Sequence, residues 1–195
     1  MKTFIFLLLL LGSWYHFYYI ETLPNTQSDA TVDTGPFQHT VPSKKFEFKD
    51  VTLIEKASFS LTAKVLSAER YYFDRHSSLS SMDIVVGWFN LSNDIILSDI
   101  KFLQSDRGYQ WQSNSDIVTN QEILRTTSNI HLIPATDEIA QQLKQIKIGH
   151  VIYLEGTLVD VNNPSGWNWK TSLSQTDTGK NSSEILYLTE LNIIE

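Results

Sequence analysis

"SFSLTAKVLSAERYY", Ser58–Tyr72, is the stretch on which the fold class turns. Phe59, Leu61, Ala63 and Val65 alternate with Ser58, Ser60, Thr62 and Lys64. A period of two sends one set to a buried face and the other toward water, which is the signature of a half-buried strand. The pattern extends in both directions. Upstream, "KFEFKDVTLI" (Lys45–Ile54) puts Phe46 and Phe48 on one face and Lys45, Glu47 and Lys49 on the other. Downstream, "IKFLQSD", "YQWQS" and "NIHLIP" read as shorter strands, and "HVIYLEGTLVDV" (His150–Val161) as a long one. Gly156 within it marks a bulge or a tight bend. "EILYLTELNII" (Glu184–Ile194) closes the chain as a last strand.

Helices are few. "TDEIAQQLKQI" has Thr136 as a cap, Asp137 and Glu138 in the first turn, and an apolar stripe of Ile139, Leu143 and Ile146, with Gly149 past its end. "SSMDIVVGW" (Ser80–Trp88) reads as a short helix opened by Ser80 or Ser81, and "SNDIILSDI" as another capped by Ser92. Strands therefore dominate, and a short sheet of this kind must hide its edges. The fold expected is α+β: a small, partly closed, OB-like barrel with one clear helix and one or two short ones. An open sheet with helices on one face is the alternative.

The N-terminus adds a separate segment. "FIFLLLLL" (Phe4–Leu11) is apolar, and Trp14, Tyr15, Phe17, Tyr18 and Tyr19 follow it. Thr3–Ile20 is long enough to cross a bilayer as a helix, and its aromatics suit the headgroup level. Lys2 favours a cytoplasmic N-terminus. Residues 1–20 are thus expected to form an uncleaved inner-membrane anchor, single-pass, with the rest exported to the periplasm or beyond. The alternative is a cleaved signal that leaves a secreted or periplasmic protein. Residues 21–42 hold three of the five prolines and no lasting period, and read as a flexible linker. Residues 43–195 then form a single extracytoplasmic domain.

Composition narrows the function. The 195-residue chain is 42% hydrophobic and 19% charged, enough apolar matter for a packed core. Its net charge of −7, with Lys44-Lys45 the only adjacent basic pair, argues against nucleic acid as a partner. It has no cysteine, so disulfides, thiolate metal sites and a cysteine nucleophile are excluded. His39, His76, His131 and His150 lack the paired spacing of a metal site, and no cofactor motif is present.

The densest chemistry lies in "YYFDRHSSLSSMDIVVGW" (Tyr71–Trp88). His76 as a base and a neighbouring serine as nucleophile would make a hydrolase, but no G-x-S-x-G elbow accompanies them. A loop stapled by the charges around Asp74 and Arg75 is the simpler reading. A third has Arg75 and Arg107 converge on an anionic ligand, since the guanidinium fork matches carboxylate and phosphate. In "QSDRGYQW", Asp106-Arg107-Gly108 has the chemistry of a hairpin turn. In "GWNWKTSL", Trp167 and Trp169 share one strand face with Asn168 and Lys170 opposite. The two rings serve either as core packing or as a platform for a sugar, peptide or lipid.

"YYFDRHSSLSSMDIVVGW", "SNIHLIPA" and "GWNWKTSLSQTDTG" resemble blocks of a family of uncharacterised bacterial envelope proteins with a hydrophobic N-terminal anchor. The resemblance spans most of residues 65–194. Ser81 stands where that family has proline, Ile130 where it has methionine, Gln175 where it has arginine, and Ser182-Ser183 where it has Ala-Cys. The resemblance implies a bacterial envelope location and supplies no activity or catalytic residue.

The function expected is a membrane-tethered extracytoplasmic binding or interaction domain, taking an envelope protein or a small anionic or polar ligand. Its candidate ligand surface is Arg75, His76, Asp83, Trp88, Arg107, Asn129, His131, Trp167 and Trp169, with no catalytic residue assigned. The alternative is an envelope hydrolase that uses Asp74 or Asp83 with His76 or His131.

Overall fold

A computed structural model describes residues 31–174 and 183–194. The expected anchor at 1–20 lies outside them, and among the described residues no helix is long and apolar enough to cross a membrane. The alternating stretch around Phe59 belongs to one twenty-residue strand, β3 (Val51–Arg70). It follows β1 (Phe37–Thr40) and β2 (Lys45–Phe48), and both pair antiparallel with it. Next come β4 (Met82–Gly87), helix α1 (Asp94–Leu97), the hairpin β5 (Ile100–Ser105) and β6 (Gly108–Ser113), and helix α2 (Asn120–Thr126). The chain continues with β7 (Thr127–Pro134), helix α3 (Asp137–Leu143), β8 (Val151–Asn162), the two-residue β9 (Asn168–Trp169) and β10 (Glu184–Ile193). The described residues form an α+β, strand-dominated domain with three α-helices.

The pairings of five strands run in a ring: β3–β4–β7–β10–β8 and back to β3. All neighbours are antiparallel except β7 and β10, which run parallel. The length of β3 permits the closure. Its N-terminal two thirds pair with β8 (Thr52–Lys64 against Val151–Asn162) and its C-terminal end with β4 (Lys64–Arg70 against Met82–Gly87). A strand this long spans both sides of a ring only if it bends, and register shifts after Glu55 and after Val65 supply the bends. A third shift, between Leu188 and Glu190, lies on β10 directly opposite Gly156.

All five ring strands and α3 send side chains into one core. Phe59, Leu61, Met82, Ile84, Ile130, Leu132, Ile152, Leu154, Leu186 and Leu188 meet Ile139, Leu143 and Ile146 there. A second cluster lies on the outer face: Val51, Leu53, Leu79, Ile133, Val159, Val161 and Ile185, with Phe46, Phe48, Trp167, Trp169 and Tyr187 against it. A third joins the β5–β6 hairpin to α1 and α2 through Leu91, Ile96, Ile100, Val118 and Ile123.

Three expectations need correction. "SSMDIVVGW" is not a helix but the central strand β4, buried at every position. A strand covered on both faces loses its alternation, and the β-branched run Ile84-Val85-Val86 is the remaining strand signal. α1 is a helix as expected, but its cap is Asn93, whose side-chain oxygen accepts from the Ile95 and Ile96 amides. Ser92 instead accepts from the Val32 amide at 2.8 Å and donates to the Phe89 carbonyl. α3 keeps its expected cap, Thr136, which accepts from the Ile139 amide.

The third correction concerns residues 31–42, read as linker. Val32 is buried, the Phe89 amide donates to its carbonyl at 2.7 Å, and β1 lies against Ala57–Ser60. A short edge strand flanked by Pro36 and Pro42 gives little period to detect. A chain trimmed to begin at Ser43 is therefore expected to melt about 4–8 °C below one beginning at Thr31. Burial of one valine contributes about 2 kcal/mol, before the β1 pairing is added. Calorimetry of the two chains measures the difference.

Candidate functional site

The register of β4 against β7 builds the site. Asp83 pairs with His131 and Val85 with Asn129. Because alternate residues share a face, Asp83, Asn129 and His131 point out of the ring, while Met82, Ile84, Val86 and Trp88 point into its core. Trp88 is thus corrected from ligand surface to core packing. Five positions from Asp83 is an odd offset, and it puts the indole on the opposite face.

Arg107 covers the outward row. It sits at the tip of the β5–β6 hairpin, where Asp106 and Arg107 both have positive φ, 49° and 65°. Two consecutive left-handed residues are what a two-residue hairpin turn requires. Neither residue is glycine, so the turn is held by contacts rather than by backbone freedom. The five N–H bonds of a guanidinium all find acceptors here. Nε and Nη2 donate to Asp74 Oδ2 and Oδ1 at 2.7 and 2.8 Å. Nη1 donates to Asp83 Oδ1 at 2.8 Å and to Ser80 Oγ at 3.4 Å, and Nη2 also donates to the Ser80 carbonyl at 2.8 Å. The Tyr71 ring lies beneath, its centroid 3.8 Å from Cζ. Burial first, and the Asp83 charge second, push that phenol up to about 12, so the ring stays neutral. Asn129 pins the tip to the sheet by donating to the Arg107 carbonyl and to Ser183 Oγ, and it accepts from Gln104.

Asp74 anchors the other side. It accepts from the His76 amide and, through its carbonyl, from Ser77 Oγ. Burial raises its affinity for a proton, but the Arg107 hydrogen bonds and charge outweigh burial and hold the carboxyl below the usual range. The loop is stapled as the simpler reading required, with Arg107 rather than Arg75 as the cation. The two arginines consequently do not converge on a ligand: Arg107 is saturated, while Arg75 is exposed and makes no ion pair among the described residues.

Trp169 stands at the centre of an aromatic stack. His76 lies parallel to it at 4.2 Å between ring centroids, and His131 is tilted against it at 4.6 Å. Trp167 meets His76 edge-on at 5.0 Å. Both indoles also pack against the outer cluster. His131 Nδ1 approaches Asp83 Oδ2 to 2.8 Å, but at an angle outside that of a hydrogen bond, which leaves both buried atoms without a hydrogen-bond partner.

These groups line a cleft of about 660 Å³, within the range of small-molecule sites. Its walls include Arg75, His76, Arg107, His131, Trp167 and Trp169, with Asp83 and Asn129 directly behind. Of the candidate ligand residues, only Trp88 is elsewhere. Tyr109 and Lys170 also line the cleft and had no distinguishing signal in the sequence. Alternation assigns Lys170 to the side away from the tryptophans, but β9 ends at Trp169 and the rule ends with it.

His76 gives the site a pH dependence. Burial first, then the charge of Arg107, then His131 and Arg75 lower its proton affinity, against the opposing pull of Asp74. The unfolded chain therefore takes up the proton before the folded one does. The associated stability is fully present above about pH 6.5 and is lost as pH falls through the folded value. His76→Phe keeps a ring on Trp169 and is expected to flatten the melting temperature between about pH 6.5 and 5 relative to the parent. An unchanged slope in a thermal-shift series would remove His76 as its source.

Among the described residues no group of three or more His, Asp or Glu side chains is arranged to hold a metal ion. No family model matches the chain, and no curated protein or solved structure matches it either.

Proposed function

We propose that the protein is a membrane-tethered, extracytoplasmic binding domain with an OB-like barrel, and that the cleft over β4 and β7 is its ligand site. The observation that carries this reading is the convergence of Arg75, His76, His131, Trp167 and Trp169, from three separate stretches of chain, on one cleft. The ring order, the parallel β7–β10 pair and α3 between the third and fourth ring strands support the OB-like assignment. In such barrels the second and third strands, with the loops joining strands one to two and four to five, form the binding face. Here those strands are β4 and β7, and the loops carry Arg75 and His76 on one side and Trp167 and Trp169 on the other. The apolar leader and the resemblance to envelope proteins support the tether and the extracytoplasmic location.

The hydrolase alternative rests on the approach of His131 to Asp83. It lacks a nucleophile: among the described residues no hydroxyl hydrogen-bonds to the ring of His76 or His131. Binding needs no such group and is the better-supported function.

A photo-crosslinking residue placed at Asn168, exposed on the cleft wall, tests the reading in the full-length protein in intact cells. Adducts are expected there and not from Gln142, exposed on α3. Absence of an Asn168 adduct, or full-length protein recovered in the soluble cytosolic fraction with its leader intact, would overturn it.

A further inference from the structure

We infer that the ligand of this cleft carries an oxyanion, a carboxylate or phosphate group, held between Arg75 and Lys170, with an adjoining ring laid against Trp167. The inference rests on the cleft being a binding site and names the chemistry it selects.

Charge is the first argument. The chain as a whole is acidic, at −7, yet the ionised side chains that line the cleft are Arg75, Arg107 and Lys170 against Asp106 alone. Arg107 is neutralised by Asp74 and Asp83 and has no donor left over. Arg75 and Lys170 have no ion pair or hydrogen bond from their side chains among the described residues. An acidic protein that lines one cleft with two unspent cations concentrates positive potential there, and low-dielectric walls sharpen it. The two groups also differ usefully. Arginine offers a planar fork that matches an oxyanion in two-point contact, and lysine a movable point charge.

Availability of ring faces is the second. Trp169 is occupied, with His76 stacked on it and His131 tilted against it. Trp167 has only the edge contact with His76 among the described rings, and it too lines the cleft. A ligand ring therefore has Trp167 to lie on, beside His76. Gly166 at φ 95° with open space around it lets the chain turn tightly enough to present that indole.

The third is rigidity. Arg107, Asp74, Asp83 and Asn129 tie the 74–80 loop and the β5–β6 hairpin to the sheet, so the walls that these two segments form are set before a ligand arrives. Preorganised walls reduce the ordering that binding must impose.

Calorimetric titration of the full-length protein in detergent tests the inference. The probes are glucuronate and glucose 6-phosphate, which carry ring and oxyanion together, against glucose, acetate and inorganic phosphate. The combined probes are expected to bind at least about tenfold more tightly than glucose and than the lone anions, with affinity falling as salt rises. Glucuronate ahead of glucose 6-phosphate assigns a carboxylate, and the reverse order a phosphate. Arg75→Gln and Lys170→Gln should each weaken the better probe about fivefold to tenfold, while Lys101→Gln, an equal charge change on exposed β5, should leave it alone. Neither combined probe binding better than glucose, or full binding retained in the Arg75→Gln/Lys170→Gln double variant, would overturn the oxyanion. If the Asn168 adduct still forms in either case, the cleft remains a binding site of another chemistry. If that adduct is also missing, both readings fall.

Discussion

Arg107→Ala is expected to lower stability by about 3 kcal/mol, which is about 6–12 °C in melting temperature for a domain of this size. The loss comes from what the substitution leaves behind. Asp83 has no solvent exposure at all, and Arg107 is the cation hydrogen-bonded to it. Stripping one partner from a buried pair costs about 3–5 kcal/mol, because the remaining charge cannot be rehydrated. The lower end applies here. Arg107 keeps 12% of its side chain exposed, and Asp74 about a third, so water recovers part of the second ion pair. Arg107→Lys should fall nearer to alanine than to the parent, since one ammonium cannot meet two carboxylates and the Ser80 carbonyl together.

Two further measurements separate charge burial from general damage to the hairpin. With Asp83→Asn already in place, Arg107→Ala should cost markedly less, and the difference is the coupling between the two groups. Equal losses in both backgrounds would show that the hairpin tip, not the ion pair, holds the stability. Acid unfolding supplies the other test. Arg107 holds the Asp74 carboxyl below its ordinary range, so that stability is present above the unfolded value near 3.8 and is lost as pH falls through the folded one. In Arg107→Ala that contribution is absent, so its deficit against the parent should be largest above about pH 3.8 and shrink as pH falls below it.

How far these groups could be located from the sequence alone depends on which interactions are local. β3, β8 and β10 show their period because each has one face on the core and one that is less covered. α3 shows itself through Thr136 and an apolar stripe that starts with Ile139 and Leu143. β4 does not, because both its faces are covered: Met82, Ile84 and Val86 by the core, Asp83 and Val85 by the hairpin and loop. α2 escapes notice for a related reason. It is seven residues long with one fully buried side chain, Ile123, and its cap at Thr119 has no long stripe after it. Ring closure joins Thr52 to Asn162 and Glu184 to Ile130, and nothing local encodes pairings at such separation.

The candidate site divides along the same line. Arg75, His76, Arg107, Trp167 and Trp169 stand out as residue types with functional chemistry, and the topology brings them together. The partner of each is a matter of register. A slip of one residue between β4 and β7 would turn Asp83 or His131 into the core. Trp88 illustrates the converse error: nearness in sequence to Asp83 says nothing about which face a strand residue takes.

Gly156→Ala is expected to disrupt the ring itself, at about 3 kcal/mol or more, and Gly156→Val to prevent folding. A Cβ on Gly156 would overlap the Tyr187 carbonyl oxygen and lie 3.0 Å from its carbonyl carbon. Both are backbone atoms of β10, so no rotamer change relieves the contact, and overpacking that must move backbone exceeds the usual range of about 1–3 kcal/mol. The crowding has a cause in the fold. Gly156 opposes Leu188, and the preceding β8 residue, Glu155, opposes Glu190, so Thr189 is the extra residue of a bulge. The bulge bends β10 toward β8 at the point where the sheet curls to close, and only a residue without a side chain tolerates that approach. Because Gly156 also pairs with Phe59 of β3, displacing it disturbs two of the five seams of the ring. Gly108→Ala is the matched comparison: its Cβ would meet nothing closer than the Ser105 carbonyl at 3.6 Å, an ordinary contact. Urea titrations of the two variants should therefore differ by about 2 kcal/mol or more. Near-parental stability in Gly156→Ala would mean that β8 and β10 do not approach this closely, and the closure of the sheet at that seam would have to be redrawn.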